Sequence, residues 1–283
     1  MKTTIAILTD SSSSLYNINH HYQNIFMIDI PCFVNEEKFN NFATLGNTPF
    51  IKALKNNTAI PKTSQPSIGE TVDMYQHIKS LGYTDIIYLP ISRNLSGTYE
   101  NAFVAKEMVS GVNIHIVDTM TTVSILLRMT LKAALFAEQG KSVNDIITYI
   151  EEMKKKWGYY LTVDSLSFLV KNGRLSNFKG LVGNFLKIKP LITFTQEGKL
   201  FSLENVRTYK KAISAVVNRT LSEAAEDAEI HISVVMENEY LEYAKSLILA
   251  LRPKAKIMVF ILPATIISHL GLEAIGVGYI NHS

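Results

Sequence analysis

Short apolar runs alternate with stretches of three-and-four spacing through the first half of the chain, the pattern of βαβ units around a parallel sheet. Residues 5–8, 86–91 and 114–117 are expected strands, with helices over 68–81 and 99–109 between them. A better-defined helix begins at Ser142: Val143, Ile146, Ile147, Ile150, Met153 and Trp157 fall on one face, and Asp145 completes a variant capping box. Gly158 is placed to end that helix, and 159–163 follows as a strand.

The second half repeats the rhythm, with a strand over 230–236, a helix over 240–251 and a strand over 257–262. Leu241, Ala244, Leu247, Ile248 and Leu251 give the helix its apolar face. Residues 186–194, followed by Leu200 and Phe201 across Glu197-Gly198-Lys199, form an expected hairpin, so this half mixes antiparallel pairing into its sheet. The expected architecture is α/β in two domains: a three-layer N-terminal domain with a parallel sheet over 1–158, and a C-terminal α/β domain with a mixed sheet over 159–283.

A length of 283 residues suits two cores. A formal net charge of +3, with scattered basic residues, gives no case for nucleic acid. The lone Cys32 excludes an internal disulfide and any multi-cysteine zinc site, and is read as a small buried residue. The first apolar run ends at Thr9-Asp10, too soon for an export signal, and the uncharged stretch 257–272 is broken by Pro263. A cytoplasmic location is the expectation.

The candidate chemistry lies in two hydroxyl-rich segments, Thr63-Ser64-Gln65-Pro66-Ser67 and Ser92-Arg93-Asn94-Leu95-Ser96-Gly97-Thr98-Tyr99. Both are expected to open helices, where free N–H groups and hydroxyls receive a carboxylate or phosphate. Each N-terminal strand exits into polar residues: Thr9-Asp10 with Ser11, Ser12, Ser13 and Ser14, then Ser92 and Ser96, then Asp118-Thr119. Such exits can line one crevice at the carboxyl ends of a parallel sheet. Helix capping is the favoured role for the four serines after Asp10, and ligand contact for Thr63 and Ser96. His269 sits beside Gly271, where structural and ligand roles balance evenly. Arg174, in the turn Lys171-Asn172-Gly173-Arg174, and Arg207, after an expected strand, are exposed cations suited to a phosphate. No dinucleotide fingerprint, phosphate-binding loop, paired-histidine metal motif or nucleophile elbow is present. These residues leave open a hydrolase or acyltransferase using Ser96 and His269, and a binder of a small phosphorylated metabolite.

In this order, Thr9-Asp10-Ser11-Ser12, Thr63-Ser64-Gln65-Pro66, Leu95-Ser96-Gly97-Thr98-Tyr99, Val117-Asp118, Gly173-Arg174-Leu175-Ser176, Leu186-Lys187-Ile188-Lys189-Pro190, Val206-Arg207-Thr208, His269-Leu270-Gly271 and Gly276-Val277-Gly278-Tyr279 resemble the DegV family along its full length. These are bacterial fatty-acid-binding proteins that serve as the carrier subunit of fatty acid kinase. The resemblance implies a non-enzymatic carrier with no cofactor or metal, its ligand being a long-chain fatty acid. It places the carboxyl at the junction of the two domains, on Thr63, Ser64, Ser96, Gly97 and His269, and the tail in the C-terminal domain. Arg174 and Arg207 would meet the phosphate or the kinase. The implied partners are the fatty acid and the kinase's ATP-binding subunit, with room for transient membrane contact. Three departures stand out: Ser92-Arg93-Asn94 replaces Ser-Ser-Gly, Gly271-Leu272-Glu273-Ala274 adds side chains after the histidine, and Met120 stands where a lysine is common.

Overall fold

The computed structural model describes residues 4–175 and 188–282. The first half contributes strands β1 (Ile5–Asp10), β2 (Ile25–Ile28), β3 (Cys32–Val34), β4 (Glu37–Phe39), β5 (Lys62–Thr63), β6 (Asp85–Leu89) and β7 (Asn113–Ile116). Its helices are α1 (Phe42–Leu45), α2 (Thr48–Lys55), α3 (Ile68–Ser80), α4 (Thr98–Lys106), α5 (Val123–Glu138) and α6 (Val143–Met153). The second half runs β8 (Trp157–Val163), α7 (Ser167–Lys171), β9 (Lys189–Phe194), β10 (Leu200–Val206), α8 (Tyr209–Glu223), β11 (Glu229–Val234), α9 (Glu239–Leu251), β12 (Ile257–Ile261), α10 (Ala264–Leu270) and β13 (Ala274–Ile280).

The N-terminal sheet has the order β2-β1-β6-β7 and every pairing is parallel. Both faces are buried, as a parallel sheet requires. Ala6, Leu8, Ile86 and Tyr88 pack with Tyr75 and Ile78 of α3 and Ala102 and Ala105 of α4. Ile5, Ile7, Ile87 and Leu89 pack on the opposite side, with Ile125, Leu126 and Met129 of α5. The C-terminal sheet has the order β10-β9-β8-β13-β11-β12, antiparallel except for β11 beside β12. Two α/β units, one parallel and one mixed, are therefore present as expected.

Several local expectations change. Trp157 and Gly158 open β8 and do not belong to the preceding helix, which ends at Met153. Gly158 is needed for close packing: a Cβ there would lie 2.5 Å from the Tyr279 ring. The strand expected to reach Ile91 stops at Leu89, because Pro90 has no N–H to continue the ladder. The strand expected over 230–236 spans Glu229–Val234. The hairpin forms by β9 and β10 around Gly198, whose φ is +77°; residues 186 and 187 of its expected first strand lie outside the described residues, as does Ser176.

A small antiparallel sheet, β4-β3-β5, was not foreshadowed by any periodicity. It matters because Thr63 lies on it, paired with Cys32, and not at a helix start. Helix α3 begins five residues later, where Ser67 and Glu70 form a reciprocal capping box. Burial pushes the Cys32 thiol up to about 12, so this residue is a space-filling member of the core.

Candidate functional site

A narrow apolar cavity opens between the loops after β6 and β7, helix α10 and the inner face of the C-terminal sheet. The centre of a water-sized sphere ranges over about 50 Å³ inside it. Leu95, Leu161, Phe194, Leu262 and Ile266 supply much of the apolar wall. The polar lining comes from Thr63, Ser96, Thr122, Thr265, His269 and Arg174, with Tyr159 also among the lining residues.

Thr63 and His269 meet here across 206 residues of sequence, with Oγ1 to Nε2 at 2.9 Å. Their elements are pinned by buried polar contacts. The α10 start is held where Tyr16 Oη and Asn47 Oδ1 both accept from the Ala264 N–H, each at 2.9 Å. Asn172 donates to Pro61 O and Ser268 O, tying the approach to β5 to the end of α10. Gly271, at φ +82°, then ends that helix.

Burial lowers the His269 pKa to about 3, and the neighbouring Arg174 charge adds to the effect. The imidazole is therefore neutral near pH 7. Its Nδ1 is buried without a hydrogen-bond partner among the described residues. A donor to Nδ1 or an acceptor for an Nδ1–H is what a ligand would supply.

Arg174 was expected on the surface. It is half-buried and lines the cavity, donating from Nε to Leu95 O at 3.2 Å and from Nη1 to Asn172 O at 2.6 Å. The turn itself forms as expected, with Gly173 at φ +68°, but it folds the side chain inward. Arg207 is exposed just beyond β10 and is not among the cavity residues.

Ser96 sits immediately before α4, sharing a 2.8 Å hydroxyl contact with Thr98 and accepting from the Thr98 N–H at 3.3 Å. Gly97 is the cap residue of α4, where a Cβ would come within 2.4 Å of the Gln65 side-chain oxygen. The two hydroxyl-rich segments are thus packed together, and Asn101 reinforces them by donating to Pro66 O and accepting from Thr71 Oγ1. Ser64 is exposed, and its N–H donates to Pro31 O. It is not among the cavity residues, and neither is Gly97.

Arg93 does not intrude on the cavity. It is exposed and pairs with Asp118 at 3.3 Å. Leu272, Glu273 and Ala274 are likewise absent from the described lining. The sequence reading missed Thr122 and Thr265. Thr265 had a usable signal, since it precedes His269 by four residues and so shares its helix face. Val123 had none: this cavity residue has φ +51°, a left-handed conformation that is strained for a β-branched side chain.

Hydroxyl, imidazole and guanidinium groups thus line one largely apolar cavity, a chemistry suited to an amphipathic anion. The profile of the family described as "Uncharacterised protein, DegV family" matches residues 4–282. A DegV domain-containing protein of Staphylococcus aureus (strain COL) is 32% identical over 281 residues, 98% of this chain and 97% of that one. The solved structure of DegV from Bacillus subtilis, a fatty acid binding protein, is 30% identical with a TM-score of 0.83, covering 99% of each chain. The Streptococcus pneumoniae fatty acid kinase B3 protein loaded with linoleic acid shares the fold, with a TM-score of 0.83 at 20% identity over 98% of this chain and 99% of that one. The chain belongs to the DegV family.

Proposed function

We propose that the protein encloses a long-chain fatty acid, with its carboxylate at the Thr63, Ser96 and His269 end of the cavity and its tail against the C-terminal sheet. The observation that carries this reading is the neutral, partly unpartnered His269 beside Thr63, with Ser96 and Arg174 lining the same largely apolar cavity. Arg174 joins the carboxylate group in this reading, while Ser64 and Gly97 shape the loops around it. Residues 1–158 supply the hydroxyl loops and 159–283 supply the tail wall and His269. Burying methylenes gains ~0.8 kcal/mol each, so a sixteen-carbon tail gains on the order of 10 kcal/mol before ordering costs. The relative from Bacillus subtilis supports the ligand class.

The carrier has no activity of its own in this reading and presents the carboxyl to an ATP-dependent fatty acid kinase, which forms the acyl phosphate. Ser96 is engaged with Thr98, and the His269 Nε2 with Thr63; His269, held far below the usual histidine range, is a poor general base. Arg207, exposed and outside the cavity residues, is the cation that contacts the kinase in this reading.

Organic extraction of the purified protein, followed by mass spectrometry, tests the ligand class. A free long-chain fatty acid near one per chain is expected. Recovery of a phosphorylated metabolite instead, with no stable uptake of added fatty acid, would overturn the reading.

A further inference from the structure

Beyond the cavity, four buried polar atoms lie on the facing surfaces of α5 and the C-terminal sheet with no hydrogen-bond partner among the described residues. They are Tyr159 Oη, Ser233 Oγ, His231 Nδ1 and Ser124 Oγ. Tyr159 is 5% exposed, and Ser124, His231 and Ser233 are 0% exposed. Buried polar groups are nearly always paired, so four orphans in one layer call for an occupant.

Strand register brings them together. Tyr159 and His231 flank Gly278 on either side, while Leu161 and Ser233 flank Gly276. Directly opposed residues share a face, so the two glycines leave a trench between the flanking side chains. The Tyr159 ring lies along it: a Cβ on Gly278 would meet Cδ2 at 2.5 Å, and one on Gly276 would meet the phenol oxygen at 2.3 Å. That oxygen therefore sits over Gly276; burial pushes its pKa up, and the nearby Ser233 hydroxyl draws it down without forming a hydrogen bond of good geometry. The opposite nitrogen of His231 faces Glu229 at 3.4 Å, and Glu229 is clasped by Arg128 of α5 at 2.9 and 2.7 Å. Ser124 is one helical turn before Arg128, on the same face.

Tyr159 is also the partition between two spaces. It lines the apolar cavity, and with Phe194 it lines an outer cleft beside Trp157. The cavity as it stands is too small for a long tail, and a ring lying over two glycines, with a cleft on its other side, is the wall element able to move.

We propose that the tail compartment continues past Tyr159 into this polar layer, which recognises an oxygen carried on the acyl chain itself, a hydroxyl or keto group away from the carboxyl. A plain alkyl tail would leave these groups unpaired, whereas an oxygen-bearing tail would pair with them. Sites built to bond an oxygen discriminate strongly against analogues that lack it. The inference rests on the acyl-carrier reading and assigns the ligand within it.

Calorimetry with delipidated protein tests it, using stearic acid and a positional series of monohydroxystearic acids. At least one isomer should bind about tenfold tighter than stearate, the scale of one net buried hydrogen bond. Ser233→Ala should remove that advantage while leaving stearate affinity in place, and Tyr159→Phe should remove it as well. Stearate binding as tightly as every isomer would overturn the inference and leave the carrier reading standing, as would an advantage untouched by both substitutions. Failure of stearate and every isomer to bind would overturn both.

Discussion

At the end of β1, Asp10, Ser11, Ser13 and Ser14 are engaged by the protein itself. Asp10 accepts from the N–H groups of Ser12 at 3.0 Å and Ile91 at 2.7 Å; Ser11 accepts from the Ile30 N–H at 2.9 Å. The Ser13 and Ser14 hydroxyls donate to Asp10 O and Ile261 O. At the cavity mouth, Thr63, Ser96 and His269 bond mainly to one another or to near neighbours, and His269 keeps an open nitrogen. Both regions are hydroxyl-rich strand exits or loops. The difference lies in partners: groups that hold backbone amides build the crevice, and groups with remaining capacity can receive a ligand.

The largest effect expected from this contrast is on stability. Asp10→Ala would leave two buried N–H groups without their acceptor and should cost about 2–4 kcal/mol in urea denaturation. Burial raises the Asp10 pKa to about 6 in spite of those bonds. Its folded-state pKa exceeds the unfolded value of 3.8, so its contribution is full below that value and declines as the pH rises through 6. The variant should lose that slope. Near-wild-type stability with loss of fatty-acid binding would reverse the roles of the two regions.

Smaller and opposite in kind is the effect at the mouth. Thr63→Ala and Ser96→Ala should each weaken fatty-acid binding by about 1.5–3 kcal/mol, the range for one hydrogen bond to a charged group. Without ligand, Ser96→Ala should melt close to wild type, while Thr63→Ala, which leaves the buried His269 Nε2 unpaired, should lose about 1–3 kcal/mol. Retained affinity in both variants, measured by calorimetry and by the thermal shift on adding ligand, would place the carboxylate elsewhere.

Much of this contrast was legible from sequence, but unevenly. Short apolar runs located β1, β6 and β7, strands of a sheet buried on both faces, and helical patterns located α3, α4 and α9. Helix α5 was missed because its first turns, from Val123 to Leu127, are buried on every side and only Arg128 and Lys132 mark a polar stripe. Strand β5 was missed because it has two residues and pairs with a distant strand. Thr63, Ser96 and His269 were singled out by residue type and neighbours, and the structure brings all three to one cavity. The inward fold of Arg174 was illegible, since the same turn sequence permits either direction. Tyr159 and the Gly276 and Gly278 trench emerge only from register across three strands.

The smallest expected effect is a fraction of a proton, and it tests the mouth most directly. Free His269 is held at about 3, first by burial and then by the Arg174 charge. A fatty-acid carboxylate placed beside it would supply the opposite charge, raise the imidazole's proton affinity and offset the influence of Arg174. The complex would then bind more protons than the free protein and carboxylate together, at pH values above 3 and up to the raised pKa. By linkage, affinity should strengthen as the pH falls through that window, until the fatty acid itself becomes protonated. Calorimetry in two buffers of different ionisation enthalpy should give a net proton uptake on binding that fades as the pH rises above the raised pKa. His269→Asn keeps a polar group of similar reach but cannot titrate, so its uptake should vanish while part of the affinity remains. No uptake by the wild type at any pH in that range would mean that the carboxylate does not lie beside His269, and Thr63 would then lose its place in the site as well.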